Sequence, residues 1–217
     1  MARCIGWAAL FVLLLPGCLN YEQHTVLSED GSGKLTIHYS IAENVMSWLE
    51  DGNLAFTEDK VREQYSGEGV DIHVLSVTTE AKDSSRHVRV ELEFDNIEKL
   101  SDLRGFKDMQ FRWLREGDQF RLTHTLGAAS SSGDASLDAF SVRYSYEFPG
   151  DILESNADST SGRTAFWKFQ LSELNADHVI SARISATAGS STVYVLAVIG
   201  VVVLLIAIFA FRRRKKE

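Results

Sequence analysis

Phe140-Ser-Val-Arg-Tyr-Ser-Tyr-Glu-Phe148 alternates apolar and polar side chains without a break. Phe140, Val142, Tyr144, Tyr146 and Phe148 fall on one face, and Ser141, Arg143, Ser145 and Glu147 on the other. A period of two is the signature of a strand with one buried and one wet face. The same pattern recurs on both sides of this stretch. Leu35, Ile37, Tyr39 and Ile41 alternate with polar or small residues, and Val88, Val90, Leu92 and Phe94 alternate with His87, Arg89, Glu91 and Glu93. Ala165 to Leu171 and Ile180 to Ala186 repeat it. Phe111-Arg-Trp-Leu-Arg115, Glu116-Gly117-Asp118 and Gln119-Phe-Arg-Leu-Thr123 read as a hairpin with a glycine in its turn.

Short helical signals interrupt the strands. Glu43 to Leu49 places Val45, Met46 and Leu49 on one face. Thr57 to Tyr65 opens with Thr57 as N-cap and with Glu58 and Asp59 in the first turn, where the helix dipole favours acids. Ile97 to Leu103 is a third candidate, capped by Asn96. Strands with few helices, and no regular alternation between the two, predict an α+β domain built on a mainly antiparallel sheet with two or three short helices.

The chain ends predict where this domain works. Met1-Ala2-Arg3 precedes a mostly apolar run from Cys4 to Leu15 and then Pro16-Gly17-Cys18. A positive start, a short apolar core and small residues before a cut site are the grammar of an export signal. At the other end, Val193 to Phe211 carries no charge, and Arg212-Arg-Arg-Lys-Lys216 follows directly. Its length suits a transmembrane helix, and a basic cluster stays on the cytoplasmic side. The expected division is a signal peptide over 1–17, an exported domain over 18–187, a linker over 188–192, a C-terminal transmembrane helix over 193–211 and a basic cytoplasmic tail over 212–217. That places a single-pass protein in the cell membrane with its bulk on the extracytoplasmic side. Strand candidates start near Tyr21 and end near Ala186, so the domain is expected to sit against the membrane with both of its ends on the membrane-facing side.

Charge narrows the partners. Between residues 19 and 192, setting aside Arg3 and the five tail cations leaves 16 of the 22 Lys and Arg. Setting aside Glu217 leaves 29 of the 30 Asp and Glu, a net charge of −13. That sign argues against nucleic acid, whose binding rests on phosphate neutralisation.

Cys18 is the one cysteine outside the signal, so the exported domain has no internal disulfide. Leu15-Pro16-Gly17-Cys18 resembles the lipobox of bacterial lipoproteins, although Pro16 departs from the small residue usual at its place. The resemblance implies a diacylglyceryl group on the Cys18 thiol and cleavage just before it. Two acyl chains hold a membrane far better than one.

Further motifs follow in order along the chain. Asp30-Gly31-Ser32-Gly33 precedes a strand, Phe56-Thr57-Glu58-Asp59 opens a helix, and Phe94-Asp95-Asn96-Ile97 ends a strand. Tyr146-Glu147-Phe148-Pro149-Gly150-Asp151-Ile152 leads to Ser155-Asn156-Ala157 and then Trp167. Together with the layout of the whole chain, these resemble the LppM-like lipoprotein family of mycobacteria and other bacteria. The resemblance implies an envelope lipoprotein whose exported domain binds lipid or glycolipid.

No motif declares a chemistry. Of the six histidines, His24, His38, His73, His87, His124 and His178, no two have the spacing of a helical metal pair, so no metal and no cofactor is expected. His38 and His87 fall on wet strand faces, and His124 follows Phe120 and Leu122 on an apolar one. No Gly-x-Ser-x-Gly elbow occurs, and Gly67-x-Gly69 lacks the rest of a nucleotide fingerprint. Trp48, Trp113, Trp167, Tyr144, Tyr146 and Phe148 are either core or the lining of a cavity for an apolar group. The reading is a non-enzymatic envelope protein that binds lipid, glycolipid or another envelope component. The alternatives are an envelope protein-interaction or assembly factor and, in third place, a hydrolase without a recognisable motif.

Overall fold

The computed structural model describes residues 19–43, 55–80, 84–128 and 140–186. They form eleven strands: β1 Leu19–Leu27, β2 Gly33–Ala42, β3 Val70–Glu80, β4 Ser85–Phe94, β5 Met109–Glu116, β6 Gln119–Leu126, β7 Phe140–Glu147, β8 Ile152–Ser155, β9 Ser159–Ser161, β10 Thr164–Gln170 and β11 His178–Ser185. One helix, α1, spans Glu58–Tyr65. A seven-stranded sheet runs β3-β4-β2-β1-β7-β10-β9, and a four-stranded sheet runs β5-β6-β11-β8.

The inner faces of the two sheets meet in one core. Leu35, Ile37, Tyr39 and Ile41 of β2 are almost fully buried, as are Val88, Val90 and Leu92 of β4. These are the alternate residues of each strand, so burial follows the period of two. Aromatic rings join the sheets: Tyr144 lies 5.3 Å from His124 and Trp113 lies 6.4 Å from Phe148, centroid to centroid. Helix α1 closes one side by burying Val61 and Tyr65, with Tyr65 edge-on to Phe106 at 5.5 Å. The β1–β2 turn is held by Asp30, whose Oδ1 accepts from Ser32 N at 3.0 Å and from Ser32 Oγ at 2.6 Å. Those bonds hold the Asp30 pKa below the usual carboxylate range.

The α+β expectation is corrected. Strands take up 61% of the described residues, and α1 is the single α-helix among them. The segment expected as a third helix is a 3₁₀ turn over Ile97–Asp102, with the Asn96 side chain accepting from Glu98 N. Six residues do not repay the cost of nucleating an α-helix. The helix expected over Glu43 to Leu49 lies, beyond Glu43, outside the described residues. So does Val193 to Phe211, and no helix among the described residues is long and apolar enough to cross a membrane. The expected C-terminal transmembrane helix thus has no support in the described fold.

Two further differences matter for the site. The sheet is mixed, because β1 pairs with β7 in parallel, Leu19 opposite Phe140 and Val26 opposite Glu147. The domain ends also lie apart. Leu19 sits beside Ile41 and Phe140. Ser185 sits beside Gln119, next to Phe120, which stacks on Trp113 at 5.1 Å. Trp113 Nε1 donates to Glu29 O, just past the opposite end of β1. The entry and exit of the domain thus lie at opposite ends of β1, about 27 Å apart at roughly 3.3 Å per residue. The expectation of both ends on one side does not hold.

Candidate functional site

The outward residues of β1, β2, β4, β7, β9 and β10 line a trough of about 620 Å³ on the outer face of the larger sheet. It exists because the pleat sends the polar half of each alternating strand to this face. Glu22 and His24 come from β1, Thr36 and His38 from β2, Arg89 from β4, Arg143 and Ser145 from β7, and Phe166 and Lys168 from β10. Phe166 is 41% exposed, an apolar ring in an otherwise polar setting.

Both arginines of the trough are paired with carboxylates. Arg143 Nη1 donates to Glu22 Oε1 at 2.6 Å, and Arg89 Nη2 to Glu91 Oε1 at 2.5 Å. Lys168 makes no side-chain bond within the described residues. His38 Nε2 meets His87 Nδ1 at 3.3 Å, with the rings 13° from parallel. Partial burial, and then the neighbouring imidazole, pull the His38 pKa below its ordinary value, so the ring stays uncharged at neutral pH.

His24 Nδ1 meets Ser145 Oγ at 2.8 Å, a pair made by direct opposition across β1 and β7. Nucleophilic catalysis also needs a third group to orient the base. No carboxylate bonds the other His24 nitrogen among the described residues. No group of three or more metal-ligating side chains gathers among them either.

The aromatic residues expected as core or cavity lining are core. Tyr144, Tyr146, Phe148 and Trp167 are at most 3% exposed. Trp113 packs against the same cluster from a partly buried position, and Trp48 lies outside the described residues. The buried Tyr146 hydroxyl lies 2.8 Å from His124 Nδ1, and Trp167 Nε1 donates to Asn156 Oδ1 at 3.0 Å. Cys18 also lies outside the described residues, one position before β1. The trough itself escaped the sequence reading. Its residues come from six strands, and their proximity depends on the parallel β1–β7 pair, which no local pattern announces.

The fold is thus a two-sheet sandwich with a filled aromatic core and an open polar trough on its larger sheet. The LppM domain model matches residues 51–186, and the chain belongs to that family. The NMR structure of the folded domain of LppM from Mycobacterium tuberculosis is similar to this chain, with a TM-score of 0.48 and 14% identity, covering 82% of this chain and 96% of that one. No curated protein matches. Membership of this lipoprotein family fits a non-enzymatic protein of the cell envelope. The matched stretch begins after β2, so Glu22, His24 and His38 of the trough lie outside it.

Proposed function

We propose that the protein is a non-enzymatic envelope lipoprotein, held to the membrane by lipid on Cys18, whose trough takes the polar part of a lipid or glycolipid. The observation that supports this is the trough and its position. It is an open hollow with paired ions, free polar donors and one exposed aromatic ring. It is built on the strand that starts directly after Cys18. At roughly 3.3 Å per residue, Glu22 and His24 lie about 13–20 Å from Cys18, within reach of a membrane surface. The filled core favours a ligand whose head group is gripped over one whose acyl chain is swallowed.

Native mass spectrometry of the full chain, extracted from membranes, tests this reading. The wild type is expected to retain an amphiphile, and F166A/K168Q to lose most of it. An empty wild type, or equal retention by the double variant, rejects the trough as the site. A mature mass without a diacylglyceryl group at Cys18 rejects the anchor.

The outer edge of β3, eleven residues long and unpaired with any strand among the described residues, favours a second reading as an envelope assembly factor. Unpaired strand edges recruit partner strands. Crosslinking from β3 in membranes that recovers no partner would sink that reading.

A further inference from the structure

The outer face of the smaller sheet carries a separate hollow of about 360 Å³. Arg121 of β6 and Arg183 of β11 are direct cross-strand partners there. Directly opposed like charges have Cβ atoms about 5 Å apart and destabilise a sheet. Each guanidinium meets a single carboxylate, Arg121 with Glu116 at 2.9 Å and Arg183 with Glu154 at 2.9 Å. A guanidinium carries a fork of five N–H donors, so most of this donor capacity is unspent.

The next row adds to it. Thr123 and Ser181 are also direct partners, and neither hydroxyl has a partner among the described residues. Arg112 of β5 pairs with Thr123 in the ladder, is exposed, and is likewise free. Three guanidiniums and two open hydroxyls thus share a patch of a segment whose net charge is −13. The floor is rigid: Asn156 Oδ1 accepts from Ser181 N at 2.9 Å and from Trp167 Nε1 at 3.0 Å, and its Nδ2 donates to Val179 O at 2.6 Å. A local rule of sheet design is broken here without full compensation, and such places are where function is expected.

We infer that this face is an oxyanion site that takes a phosphate ester of a polyol. Guanidinium forks match phosphate oxygens two at a time, and the flanking hydroxyls suit a hydroxyl-rich carrier. The carrier is either a soluble phosphorylated polyol or the head group of a phospholipid, and the two share this chemistry. The site is on a different sheet from the trough, so its failure leaves the lipid-binding reading untouched.

The full chain in neutral-detergent micelles is titrated with glycerol 3-phosphate, and heat of binding and melting temperature are followed. Saturable binding is expected, weakened at least tenfold in R121Q/R183Q and unchanged in R104Q, a surface pair remote from the hollow. Without ligand, R121Q is expected to melt no lower than the wild type, because the like-charge opposition is gone; the ligand raises the melting temperature of the wild type and R104Q but not of R121Q/R183Q. In a second arm, phosphatidylcholine vesicles with and without phosphatidylglycerol are compared. Arg-dependent binding confined to the phosphatidylglycerol vesicles assigns the phosphate to a lipid head group. Equal affinity in R121Q/R183Q in both arms, or the same response to chloride at matched ionic strength, overturns the inference.

Discussion

His124 stands on the inner face of β6 and is fully buried. Phe111 stacks on its ring with centroids 4.2 Å apart, and Tyr146 bonds its Nδ1. Its Nε2 has no partner among the described residues. Burial pushes the pKa down to about 3, against about 6.5 in an unfolded chain. The folded form therefore stays neutral where the unfolded chain takes up a proton. This contribution is complete above pH 6.5 and is lost as pH falls towards 3, at about 1.4 kcal/mol per pH unit. His38, lowered mainly by burial, acts in the same direction. Urea unfolding between pH 7 and pH 5 is expected to show the loss in the wild type, and a flatter profile in H124Q. That range lies above the titration of Asp30 and Glu93, whose pKa values are held low. A wild-type profile that is flat across it would refute the assignment. The core position of His124 was legible from its spacing after Phe120 and Leu122. Its partner was not, because Tyr146 is 22 residues away on a different sheet.

At the level of elements, legibility tracked unbroken alternation. β2, β4, β7, β10 and β11 were readable for that reason, and the Gly117 turn marked the β5–β6 hairpin. β3 was missed because a bulge between Ile72 and Val74 shifts its register and breaks the period of two. β8 and β9 are too short to show a period. The two hairpin glycines separate distinct physical needs. At Gly33 an added Cβ would lie 2.1 Å from the Val26 backbone oxygen, so the neighbouring strand itself would have to move. At Gly117 nothing lies within 4 Å, and a left-handed φ of +67° is the sole demand. G117A is expected to lower stability by about 1 kcal/mol. G33A is expected to cost about 3 kcal/mol, the upper end for overpacking. Denaturant midpoints for both variants check the order, and equal losses would show that the Gly33 contact relaxes freely.

For the whole molecule, the separation of the domain ends decides how it can be presented. Leu19 lies at the end where Tyr21 pairs with Val142 and Phe169 packs on His178 at 5.5 Å. The exposed residues just before β11, including Asn175, belong to that end. The Gly117 hairpin and Ser185 belong to the other. A lipid on Cys18 leaves almost no tether, since β1 begins at the next residue. Attachment through Cys18 therefore brings the Asn175 end to the bilayer and holds the Asp118 tip away from it, by about 27 Å when the strands stand upright. Fluorophores introduced by N175C and D118C, in full chain acylated at Cys18 and placed in vesicles, are expected to respond differently to spin-labelled lipid. Quenching should be strong at position 175 and weak at 118. Equal quenching would mean that the strands lie along the membrane, with one sheet face pressed towards it. Strong quenching at 118 alone would place the attachment elsewhere than Cys18. The trough runs alongside β1 rather than capping its end. An upright domain therefore opens it sideways, where a head group lifted from the surface could enter without the domain detaching.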